Sequence, residues 1–88
     1  TKAGGAPSAE LHYFKGLIFY KQNRNEEALA AFTSAVRADP NYADAYYYQG
    51  ETYDRLDKEK EAIAAYREAV RLNPKFTDAW FDLGVAYY

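Results

Sequence analysis

The chain matches itself when it is displaced by 34 residues. Gly16, Gly50 and Gly84 fall into register, as do Ala28 with Ala62, Ala35 with Ala69, and Pro40 with Pro74. Phe32 meets Tyr66, and Phe19 meets Tyr53 and Tyr87. The tracts Glu27–Ala28–Leu29–Ala30–Ala31 and Glu61–Ala62–Ile63–Ala64–Ala65 nearly coincide. A period of this length marks a stacked array, in which each unit buries its apolar face against its neighbours rather than alone. In a chain of 88 residues that allows one domain and fewer than three full units.

Spacing within the period is helical. Tyr46, Gln49, Gly50 and Tyr53 stand at i, i+3, i+4 and i+7, one face of a helix. Trp80, Leu83, Gly84 and Tyr87 repeat that spacing, and His12, Lys15, Gly16 and Phe19 do so with a lysine at an apolar place. Ala28, Leu29, Phe32, Ala35 and Val36 mark a second helix, matched by Ala62, Ile63, Tyr66, Ala69 and Val70. The pattern predicts helices over 9–22, 25–38, 43–56, 59–72 and 77–88. Glycine in a helix interior costs about 1 kcal/mol relative to alanine. Three at one phase predict close approach, with Gly16 and Gly50 against Ala28 and Ala62 of the partner helix and Ala35 and Ala69 between units. Asn23, Asn25 or Asp57 are expected to cap the helices that follow them, and Ser8 the first helix. Pro40 and Pro74 end the helices before them, with Asp39 and Asn73 as helix-end residues.

Other signals mainly exclude. Net charge is −2, which gives no general attraction to nucleic acid or to anionic membranes. No apolar run approaches the length of a membrane span. With no cysteine, disulfides, thiolate metal sites and a cysteine nucleophile are ruled out, but the compartment is left open; a soluble, cytoplasmic setting is the expectation. The single histidine, His12, shares the phase of Tyr46 and Trp80 and reads as a packed ring, not a base or ligand. The Lys58–Glu59–Lys60–Glu61 run reads as a solvated helix start. No phosphate loop, nucleophile elbow or metal spacing is present, so neither enzyme activity nor a cofactor is expected. Aromatics, by contrast, reach 18%, and ten of them are tyrosines, suited to half-buried faces and binding surfaces.

The period, with Ala79–Trp80–Phe81–Asp82–Leu83–Gly84–Val85–Ala86–Tyr87–Tyr88 and the recurring Ala, Phe or Tyr, and Pro, resembles the tetratricopeptide repeat. The resemblance implies an all-α solenoid of antiparallel helix pairs, five helices forming an α-α superhelix with right-handed curvature. It divides the chain into a flexible segment 1–8, repeats at 9–42 and 43–76, and the first helix of a truncated repeat at 77–88. It also implies that the first helix of each repeat lines a concave groove for a protein or peptide partner. Carried onto this chain, that groove offers Glu10, Tyr13, Phe14, Leu17, Tyr20 and Lys21, then Asp44, Tyr47, Tyr48, Glu51, Asp54 and Arg55, then Asp78, Phe81, Asp82, Val85 and Tyr88.

This set is aromatic and acidic. Its carboxylates outnumber Lys21 and Arg55, while Arg24, Arg37, Lys58, Lys60, Arg67, Arg71 and Lys75 lie elsewhere. The expected partner is a peptide or helix with apolar anchors and basic residues. A plainer reading stands beside it: the rings fill gaps between helices, and Glu10, Asp44 and Asp78 favour the helix dipole. Members of the resembled family that hold chaperone C-termini use lysine, asparagine and arginine. Tyr13, Leu17, Tyr48, Asp78 and Asp82 stand at those places, so an acidic C-terminus is not the expected partner. Trp80, Leu83 and Tyr87 lack an apolar cover, which predicts self-association. Two other roles remain open, a self-assembly module and a targeting segment of a larger enzyme.

Overall fold

A computed structural model describes residues 7–77, 80–82 and 84. Four helices have complete bounds: α1 (Pro7–Lys21), α2 (Asn25–Ala38), α3 (Ala43–Arg55) and α4 (Glu59–Leu72). Residues 77, 80–82 and 84 are helical as well, the start of the fifth helix. Among the described residues there is no strand. The helices pack in chain order as antiparallel neighbours, α1 on α2, α2 on α3 and α3 on α4. The fold is all-α, as the periodicity requires. The expected flexibility of 1–8 concerns residues mostly outside those described.

The turns close differently from expectation. Asn23, Asn25 and Asp57 do not cap the helices that follow: the N-cap positions of α2 and α4 are Arg24 and Lys58, neither with a side-chain cap bond, and Asn25 is the first residue of α2 itself. Instead Asn23 and Asp57 take the left-handed conformation, φ 61° in each, and finish the preceding helices. The Asn23 N–H donates to Tyr20 O and the Arg24 N–H to Phe19 O, at 3.1 and 2.9 Å. Asp57 and Lys58 repeat this with Asp54 O and Tyr53 O, at 3.0 and 2.9 Å. This paired pattern satisfies the orphan carbonyls of a helix end, and short polar side chains tolerate the left-handed residue it needs. Ser8 lies inside α1, not before it, because the helix begins at Pro7. The Asp39 and Asn73 readings hold. Their carboxylate and amide oxygens accept from the N–H of Asn41 and Lys75, a turn written twice.

Core residues recur with the period. Ala28, Phe32 and Ala35 are fully buried, and so are Ala62, Tyr66 and Ala69. The close approach at the glycines is real, but the nearest atoms are those of a ring, not of the alanine. A Cβ on Gly16 would sit 2.6 Å from the Phe32 ring, and one on Gly50 2.7 Å from the Tyr66 ring. Each glycine leaves the space that an aromatic ring of the second helix fills. Gly84, the third of the series, has no atom of the described residues within 4 Å of that position. Trp80 and Phe81 beside it are 52% and 69% exposed.

Candidate functional site: the aromatic and acidic face of the first helices

The rings expected to line a groove form a ladder. Tyr13 of α1 stands 6.0 Å from Phe32 and 4.9 Å from Tyr42, centroid to centroid. One period on, Tyr47 of α3 stands 5.9 Å from Tyr66 and 4.9 Å from Phe76. Tyr48 joins the two units: it stacks on Phe32 at 5.8 Å, meets Tyr20 at 5.5 Å edge-on, and touches Tyr13 and Tyr47. Such tilted and edge contacts suit the ring quadrupole. The plainer reading is therefore partly right: Tyr13, Tyr47 and Tyr48 hold helices together, and their half-buried faces form the floor of the surface. Phe81, at the same phase, is open.

Around the ladder the expected carboxylates divide. Glu10 and Asp44 are exposed and lie near Tyr42, whose hydroxyl they help to push up after burial itself. Glu51, Asp54 and Asp82 instead converge beside Tyr20, Tyr47 and Tyr66. The Tyr20 hydroxyl donates to Glu51 Oε1 at 3.3 Å, and the Tyr66 hydroxyl to Asp54 Oδ2 at 3.4 Å. Burial, then neighbouring carboxylates, raises the Tyr47 and Tyr66 hydroxyls well above the ordinary tyrosine value. The Asp82 carboxyl is pushed up to about 7, by burial first and then by Glu51, with Tyr47 pulling the other way. Asp54 is raised for the same reasons, burial leading and Glu51 next. Asp82 Oδ2 is buried without a hydrogen-bond partner among the described residues. Three carboxyl groups brought together with no paired cation among the described residues oppose one another's ionisation, and Asp82 gives up its proton only near neutral pH.

Arg55, expected among the groove cations, has another task. Its guanidinium lies 3.6 Å over the Tyr20 ring and donates to Tyr20 O at 2.7 Å, with longer bonds to Asn23 and Asn25. It ties the end of α3 to the end of α1 and leaves the carboxylates unneutralised. Lys21 is exposed in the last turn of α1. Leu17 is half-buried. Phe14 is 55% exposed and forms, with Leu11 and Ile18, an apolar stripe along α1. Asp78, Val85 and Tyr88 lie outside the described residues. The sequence reading missed Tyr42 and Phe76, whose signal was present as a further pair one period apart. Among the described residues, no acidic or histidine cluster could hold a metal ion, and no helix is long and apolar enough to cross a membrane.

The model of a protein family described as tetratricopeptide repeat matches residues 2–43, 13–75 and 60–88. No curated protein sequence matches significantly. Among solved structures, MamA is 34% identical, with 91% of this chain covering 47% of that one at a TM-score of 0.89. The chain thus spans about half the length of MamA. The first TPR of Spaghetti (RPAP3), bound to the HSP90 peptide SRMEEVD, is 30% identical over 90% of this chain and 63% of that one, with a TM-score of 0.86. The TPR2B domain of yeast Sti1, in complex with an Hsp70 peptide, is 23% identical over 92% of this chain and 65% of that one, with a TM-score of 0.89; at that identity the likeness is one of fold.

Proposed function

Since the chain belongs to the tetratricopeptide-repeat family, we propose that it is a protein-interaction scaffold whose first helices hold an extended or helical peptide with apolar anchors and a basic residue. The carrying observation is the convergence of Glu51, Asp54 and Asp82, with the exposed Phe81 next to Asp82 in the chain and Arg55 engaged elsewhere. A lysine or arginine of the partner would enter the carboxylate focus, and an aliphatic or aromatic side chain would cover Phe81. Rigid rings add contact area at low entropy cost, and the carboxylates steer and select.

Relatives support the general role: the first TPR of Spaghetti holds an HSP90 peptide. That peptide, SRMEEVD, is acidic, and this chain carries Tyr13, Leu17, Tyr48, Asp78 and Asp82 at the places where such members use lysine, asparagine and arginine, with Asp78 and Asp82 standing where cations are needed. We therefore separate this chain's partner from that class. Selection from a random peptide library tests the reading. Peptides kept by the parent and lost by Asp82→Lys should carry lysine or arginine beside an apolar residue. If Asp82→Lys retains every peptide, the concave face is not the site.

A second reading is self-assembly, favoured by the exposed stripe Leu11, Phe14 and Ile18 on α1. Sedimentation would then show a concentration-dependent oligomer that Leu11→Glu with Ile18→Glu converts to monomer.

A further inference from the structure

The outer face of α2 departs from the repeat in a way the concave groove does not use. Residues Glu26, Leu29, Ala30, Thr33, Ser34 and Arg37 stand at i, i+3, i+4, i+7, i+8 and i+11, one unbroken stripe of the helix. Together with Leu56 and Lys58, which close it from the α3–α4 turn, they line a cleft of about 590 Å³. That lies within the usual size of ligand pockets.

One period on, the equivalent stripe of α4 carries Arg67 and Glu68 where α2 carries Thr33 and Ser34. There Glu68 accepts two hydrogen bonds from Arg71, at 2.8 and 3.1 Å, so the guanidinium of that strip is already paired. On α2 the corresponding residues are short, and Thr33 is turned inward, accepting from Gln49 Nε2 at 3.2 Å. Arg37, the equivalent of Arg71, has lost its carboxylate. Among the described residues the side chains of Arg37 and Lys58 have no hydrogen-bond or ion-pair partner.

We propose that this cleft is a second binding site, on the opposite side from the concave groove, for an extended peptide that places an apolar side chain four residues from an acidic one. Leu29, Ala30 and Leu56 form the apolar floor at one end, and the unpaired guanidinium of Arg37 marks the other. Leu29 and Arg37 are eight residues apart on one helix, about 12 Å at 1.5 Å per residue. An extended chain covers that distance in about four residues of 3.3 Å, and positions four apart point to the same side. Lys58 and Glu26, of opposite charge, both line the cleft, so the charge of Arg37 sets the sign of the ligand. This site takes an acidic residue where the concave face takes a basic one, and the two readings stand or fall separately.

The test uses the 15N-labelled 88-residue chain and a capped peptide bearing leucine and, four positions on, glutamate. Saturable amide shifts at Leu29, Thr33, Ser34, Arg37 and Leu56 are expected. Arg37→Glu should weaken binding at least tenfold, and Ser34→Glu, which writes the α4 residue into α2, should do the same. Both positions lie on the outer face, and circular dichroism checks that each variant is folded. A peptide with the two residues only two positions apart should bind several-fold less tightly. No shift at millimolar peptide, shifts centred on Tyr47 and Glu51, or an Arg37→Glu variant that binds like the parent would each overturn the proposal.

Discussion

Gly50→Ala sets two opposed effects against each other at a position where the structure gives the distances. Alanine in the middle of α3 relieves about 1 kcal/mol of helix cost. Its Cβ, however, arrives 2.7 Å from Tyr66 Cε1, 2.8 Å from Cδ1 and 3.1 Å from Cζ. Ordinary contact begins near 3.4 Å, so ring and helix must part by about 0.7 Å. The ring has little room to give: it is fully buried, its hydroxyl is bonded to Asp54, and Tyr47 packs against it at 5.9 Å. Overpacking of this kind costs about 1–3 kcal/mol, and a held ring belongs at the upper end. The net expectation is a loss of about 1–2 kcal/mol, or a fall in melting temperature of about 5–15 °C for a chain of this size. Gly84→Ala meets nothing within 4 Å among the described residues and should keep the helix benefit alone. Urea and thermal unfolding followed by circular dichroism would measure both. In the Tyr66→Leu background, which removes the ring, the Gly50→Ala penalty should shrink by more than about 1 kcal/mol, the coupling expected of residues in contact. If Gly50→Ala is as stable as the parent, or Tyr66→Leu leaves its effect unchanged, the glycine is not kept for the ring.

Arg55→Ala removes the bond to Tyr20 O and the contact over the Tyr20 ring; a loss of about 1–2 kcal/mol in urea unfolding is expected, only partly restored by Arg55→Lys. Asp57→Val forces a β-branched residue to φ 61° and should cost about 1–2 kcal/mol, whereas Asp57→Gly should stay within about 0.5 kcal/mol of the parent. Asp82, held up to about 7, is protonated at pH 6 and ionised at pH 8. Its packing against Glu51 is therefore favoured below the ordinary carboxyl value, weakens as pH rises from there, and is fully lost above pH 7. Trp80 emission should shift to longer wavelength between pH 6 and 8, and Asp82→Asn should abolish that shift. In the same interval a basic peptide should bind more tightly, with uptake of the cation releasing a proton that calorimetry in two buffers would register.

The helices and their register were legible because a 3.6-residue period and a 34-residue period are properties of the chain itself. α2 and α4 fall where the spacing puts them, and Phe19, Phe32 and Pro40 announce their partners one period on. Capping was less legible. Asparagine and aspartate serve both a helix start and a left-handed helix end, and only the backbone path chose the second for Asn23 and Asp57.

Periodicity fixes which way a side chain points around its own helix; it does not fix the depth at which two helices meet or where a long side chain ends. Tertiary structure therefore decided that Phe32 and not Ala28 is nearest to Gly16, and that Arg55 reaches across to α1 instead of facing a partner. It also decided that Glu51, Asp54 and Asp82, from two different helices, share one place. The sequence by itself determined an array of helix pairs whose first helices are rich in aromatic and acidic residues; only packing determined which of those groups are occupied by the fold and which remain exposed.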